Sequence, residues 1–103
     1  MGYAKRTDKN QQEIVDALRK HGAVVVDCSK IGQGFPDLVV GYQNKHTILM
    51  EVKSTPKALH TKPQLAFLAR WTGGPLVRVD NVESALRVLR MIDEPGEETQ
   101  ETI

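Results

Sequence analysis

The sequence has one cysteine, Cys28, so no internal disulfide can brace the fold. It has no Cys/His cluster at zinc spacing either, because His21, His46 and His60 are too dispersed to make one. No apolar run approaches the roughly 20 residues that cross a bilayer, and the flanks of a signal peptide are missing. A cytoplasmic protein with no membrane partner is therefore expected. Internal repeats are lacking. Net charge is nearly lacking too, at +1, until it is divided along the chain. Residues 93–103 hold Asp93, Glu94, Glu97, Glu98 and Glu101 and no basic residue, which leaves fourteen basic against eight acidic residues before them, or +6. A body of that sign attracts phosphate, although a merely solvated surface explains the charge equally well. The length suits a single domain over residues 1–92, with 93–103 expected as a disordered acidic tail.

What is present reads as an alternation of helices and short strands. From Asp8 to His21, Ile14, Ala17 and Leu18 recur at helical spacing, Asp8 and Gln11 suit a capping box, and Gly22 supplies the stop. The β-branched run Ala23 to Cys28 predicts a strand, closed by a glycine-rich stretch from Ser29 to Phe35. Two further apolar runs, Asp37 to Tyr42 and His46 to Val52, flank Gln43-Asn44-Lys45, a polar triplet that suits a hairpin turn. After a loop from Ser54, Thr61 and Gln64 suit the N-cap and reciprocal partner of a helix through Trp71, with Phe67, Leu68 and Trp71 at core spacing. Gly73-Gly74-Pro75 ends it. A strand from Leu76 to Asp80 and an amphipathic helix from Val82 to Ile92 complete the order αβββαβα, an α/β fold with a mixed sheet flanked by helices.

The hairpin concentrates the chemistry. If its turn is symmetric about Asn44, Asp37 lies opposite Glu51, where like charges destabilise a sheet unless a cation compensates. Period-two alternation puts Asp37, Glu51 and Lys53 on one face and Leu38, Val40, Ile48, Met50 and Val52 on the other, as core. Hard oxygen donors favour Mg²⁺ or Mn²⁺ over zinc. An acid at a strand start and a Glu-x-Lys at a strand end also occur on plain solvated sheet edges. Pro36 tips the balance, because its fixed φ suits the start of a strand and holds Asp37 at a defined angle.

Pro36-Asp37 followed by Glu51-Val52-Lys53 resembles the motif of the PD-(D/E)XK nucleases, whose fold is restriction-endonuclease-like. Within that superfamily the chain resembles the virus-type replication-repair nuclease (VRR-NUC) group, whose free-standing members occur largely in phages. The resemblance takes in Glu13 on the first helix, Gly34-Phe35-Pro36-Asp37, the Glu51-Val52-Lys53 strand and Gln64 opening the next helix, nearly the whole chain. It implies that Asp37, Glu51 and the backbone carbonyl of Val52 bind the metal, and that Lys53 positions or activates the attacking water. Glu13 borders the apolar stripe, where it can add a water-mediated metal contact or stand simply exposed. Gln64 has a capping role in its own right, while its family counterpart belongs to the active site. Lys57, His60, Lys62 and Arg70 follow the catalytic strand and suit phosphate contacts, or the solvation of a loop.

The reading is thus a Mg²⁺-dependent endodeoxyribonuclease. The resemblance extends to resolvases of four-way (Holliday) junctions and implies a homodimer acting on DNA. Nucleases of flaps, nicks or general duplex are the alternative, as is a non-catalytic nucleic-acid-binding module of the same fold.

Overall fold

The computed structural model of the protein describes residues 2–93, with side chains from Asn10 onward. The acidic tail beyond Asp93 lies outside the described residues. Three helices and four strands follow one another as α1 (Gly2–Lys20), β1 (Val24–Asp27), β2 (Leu38–Tyr42), β3 (His46–Val52), α2 (Lys62–Arg70), β4 (Leu76–Val79) and α3 (Val82–Ile92). This is the expected order αβββαβα. The strands form one sheet in the order β1-β2-β3-β4, antiparallel except for the parallel pair β3 and β4. A parallel neighbour needs a crossover, and α2 lies in it.

The hairpin register is that of a turn centred on Asn44: Leu38 pairs with Met50, Val40 with Ile48 and Tyr42 with His46. Gln43 and Asn44 adopt left-handed backbone, at φ 56° and 60°, which gives the turn the hand that matches the twist of the strands. Alternation then sends Leu38, Val40, Ile48 and Met50 to one face, where each is wholly buried. Ile14, Val15 and Leu18 of α1 and Ala85 and Leu89 of α3 close over them, with Val25, Val52 and Val79 completing the core.

α1 starts earlier than the Asp8 expected from capping. It runs from Gly2, because no glycine or proline between Tyr3 and His21 interrupts it. Its other end is as expected. Gly22, at φ +93°, lets Ala23 N–H reach Leu18 O (3.1 Å) and its own N–H reach Arg19 O (3.0 Å), a Schellman closure. α2 and α3 open with capping boxes, Thr61 with Gln64 and Asn81 with Ser84. The expectation that Trp71 and Leu68 pack in a core fails. α2 buries no residue, Leu68 and Trp71 are 42% and 38% exposed, and half-buried Phe67 packs edge-on against Phe35 at 5.4 Å. α2 sits on the second face of the sheet, the one that α1 and α3 leave open. None of the described helices is long and apolar enough to cross a membrane.

Candidate active site

The functional side chains gather where β2 begins and β3 ends, beneath the start of α2. Asp37 stands one residue before β2, and continuing the register by one pair sets it opposite Glu51. Its Oδ2 accepts from Val52 N–H at 2.9 Å. Val52 therefore turns its backbone polar groups toward β2, and there the register places Pro36, which has no N–H to give. The Val52 carbonyl is left without a ladder donor on that side.

Among the described residues, Glu51 and Lys53 are the charged side chains that are buried, at 4% and 9% exposure. Such residues go inside only when paired, and these two lie 3.7 Å apart. Gln64 ties the pair together. Its Nε2 donates to Glu51 Oε2 at 2.7 Å, while its Oε1 accepts from Lys53 Nζ at 2.6 Å and from Thr61 N–H at 2.8 Å. Turning the amide over would set its NH₂ against two donors, so the network fixes its orientation. Gln64 is thus a cap and a member of the cluster at once.

α2 can come this close because residue 34 is glycine. A Cβ there would collide with the Pro63 carbonyl, and φ is +83°, so the backbone and the approach both require glycine. Behind the cluster, Asn10 Nδ2 donates to the Lys53 carbonyl at 3.0 Å, and Arg78 Nη2 donates to the carbonyls of Thr55 and Pro56, both at 2.9 Å. Asp27, at the end of β1, accepts from Gln11 Nε2 at 3.0 Å and from Ser29 N–H and Oγ at 2.9 and 2.6 Å. Those bonds from Ser29 hold its carboxyl below the usual range.

The two facing acids are raised instead. Burial, then the charge of Asp37, pushes Glu51 up to about 7, with Lys53 opposing. Burial also raises Asp37, against the bond from Val52 N–H. A divalent cation fits this donor set. No group of three or more His, Cys, Asp and Glu side chains capable of holding a metal occurs among the described residues, but two carboxylates and a free carbonyl, completed by water, suit Mg²⁺. Its charge would offset the burial that raises both acids and the repulsion that Glu51 meets from Asp37.

Asp37, Glu51, Lys53 and Gln64 therefore come together. Glu13 is exposed on α1, and the contacts that build the cluster do not come from it. Lys57, Lys62 and Arg70 are exposed on the loop and helix bordering the site, with Arg70 5.6 Å from the Phe67 ring centre. His60 is half-buried beside Glu51 and Gln64. Asn10, Asp27 and Arg78 are the neighbours that sequence reasoning passed over. Asn10 carried a signal, since it falls one turn before Ile14 on the buried stripe; Arg78 carried none, since its pairing with Glu51 depends on the β3–β4 register.

No protein-family model matches the chain, and no curated protein matches it. Among solved structures it is similar to one described as a VRR_NUC domain, with a TM-score of 0.70 and 20% identity over 82% of this chain and 95% of that one. At that identity the likeness establishes the fold, a restriction-endonuclease-like mixed sheet with flanking helices.

Proposed function

We propose that the chain is a divalent-cation-dependent DNA endonuclease that hydrolyses phosphodiester bonds at Asp37, Glu51 and Lys53. The observation that carries this reading is the facing pair of acids, Glu51 buried and Asp37 half-buried, with a lysine held beside it, at one end of an otherwise apolar hairpin. Structural ion pairs also perturb buried acids, but they rarely keep two like charges opposed. The fold shared with a VRR_NUC domain supports the same reading.

Asp37, Glu51 and the Val52 carbonyl would hold Mg²⁺, with Mn²⁺ able to replace it. The bound cation would acidify a water and stabilise the charge developing on the phosphate. The rest falls to the chain. Lys53 holds its ammonium next to Glu51, where it supports the attacking water or the negative charge of the transition state. Gln64 keeps that ammonium in place by accepting from it, and donates to Glu51 so that the carboxylate does not swing away. The resemblance to the PD-(D/E)XK nucleases implies products with a 5′-phosphate and a 3′-hydroxyl. Glu13, were it to join through water, would do so only in the loaded site. Lys57, Lys62 and Arg70 border the cluster and would meet the flanking phosphates.

The preferred substrate in this reading is a four-way junction in the cytoplasm, cut by a homodimer. One site cuts one strand, and a twofold pair offers two equivalent sites to the two symmetric strands. The apolar residues Leu38, Val40, Ile48 and Met50 give no motive for that dimer, because α1 and α3 already cover them; Val24 and Val26 on the edge strand are the exposed ones, at 69% and 53%. Cleavage of a panel of junctions, flaps, nicked and linear duplexes, with Mg²⁺ and with chelator, tests the proposal. Mg²⁺-dependent nicks paired across a junction are expected. Equal rates on all DNAs would leave the chemistry and remove the junction preference, and binding without cleavage would mark a non-catalytic module.

A further inference from the structure

His60 lies at the end of the loop that leads from Lys53 to α2, and its ring lines a small cavity together with Gly34, Pro36, Glu51, Gln64 and Phe67. Its Nδ1 is sealed from solvent and has no hydrogen-bonding partner among the described residues. Such an orphan costs about 1–3 kcal/mol, so it calls for a partner that the protein itself does not supply. The cavity has about 10 Å³ of room for a water's centre, enough for one molecule and little else. A water needs two or more polar neighbours to stay, and Glu51 and Gln64 line the same space.

We propose that His60 is a positioning residue for Glu51: its Nδ1, through one water bound in this cavity, fixes the carboxylate that the cleavage site uses. The role rests on the nuclease reading for its purpose, not for its geometry. Either imidazole tautomer serves, since a water can accept from Nδ1–H and donate to the carboxylate, or donate to both. Gln64 holds Glu51 through Oε2 from the α2 side. The bridge from His60 braces the same carboxylate from within the cavity, as the outer partners of metal ligands generally do. A direct phosphate contact through Nδ1 is not available to His60, because DNA cannot reach a nitrogen closed to solvent.

Two experiments test this. A crystal structure of the wild-type protein should show a water within about 3.2 Å of both His60 Nδ1 and a Glu51 oxygen; a cavity without one, or a water that touches only His60, overturns the proposal. That result is read even if the protein cleaves no DNA. The second compares His60→Leu with His60→Asn, which keeps a polar atom near the position of Nδ1. The leucine variant should weaken Mn²⁺ binding, measured by calorimetry, and lower kcat, each by about 10–100-fold, with KM for DNA unchanged. The asparagine variant should recover most of both. Unchanged Mn²⁺ affinity and kcat in His60→Leu, or a rise in KM alone, would contradict the role. Should the leucine variant fail to fold, His60→Asn and the crystal structure still decide it.

Discussion

On one face of the sheet, α1 and α3 bury Ile14, Leu18, Ala85 and Leu89 against Leu38, Val40, Ile48 and Met50; on the other, α2 has no buried residue of its own and is held by the Gln64 amide, by Phe67 against Phe35 and by its fit to Gly34. The same strands build both. The first face is apolar and exchangeable, each large side chain contributing about 1.5–3 kcal/mol by leaving water. The second holds the buried Glu51 and Lys53 and spends stability on keeping two acids together. Substitutions on the two faces should therefore separate folding from chemistry.

The largest separation is expected between Asp37→Ala or Glu51→Ala and Leu38→Ala. The first two should lower cleavage by more than about 10³-fold while leaving the melting temperature level or higher, since they relieve a like-charge pair. Leu38→Ala should cost about 2–5 kcal/mol of stability, and leave the specific activity of the folded fraction near that of wild type. Activity assays and denaturant titrations read the two effects. An active Asp37→Ala protein would break the division. Lys53→Ala comes next: turnover should fall by about 10²-fold with Mn²⁺ affinity little changed, because an ammonium is no ligand. A parallel collapse of metal binding would merge the two roles.

Gly34→Ala joins the faces. It pushes the Pro63 carbonyl away, and with it Gln64, so kcat should drop by about tenfold or more while the α1 and α3 core keeps the fold. Equal cleavage by this variant would show that α2 need not sit so close. A smaller effect concerns pH. Glu51 has its folded pKa raised from 4.5 to about 7, so the folded state binds the extra proton and metal-free stability is lost as pH rises through that window. Glu51→Gln should flatten that slope and melt about 5 °C above wild type at pH 8 without metal. Smallest of all, truncation after Ile92 should tighten DNA binding slightly at low salt, with the gain vanishing as salt screens it.

The apolar face was the more legible of the two. Period-two alternation around Gln43-Asn44-Lys45 led directly to the register that places Leu38 against Met50, because a buried face tolerates no slip. The pairing of Asp37 with Glu51 follows from the same register, and Gln64 was visible as a cap. Its bonds to Lys53 and Glu51 were not, since they depend on how closely α2 docks, which only the packing at Gly34 sets. Asp27 and Arg78 meet the site through tertiary contacts that leave little local trace, whereas Asn10 is marked by its place one turn before Ile14. The start of α1 differs from expectation for the opposite reason: Asp8 offers a capping signal that an uninterrupted helix overrides.

The polar face is proposed to hold a cation and to cut DNA with it. One measurement addresses it most directly: cleavage of an end-labelled four-way junction by wild type and by Glu51→Gln of matched folding, each with Mg²⁺ and with chelator. Cleavage by the wild type with Mg²⁺, and in no other lane, is the expected result. Wild-type cleavage in chelator, or a Glu51→Gln protein that cuts as fast as wild type, would contradict the account.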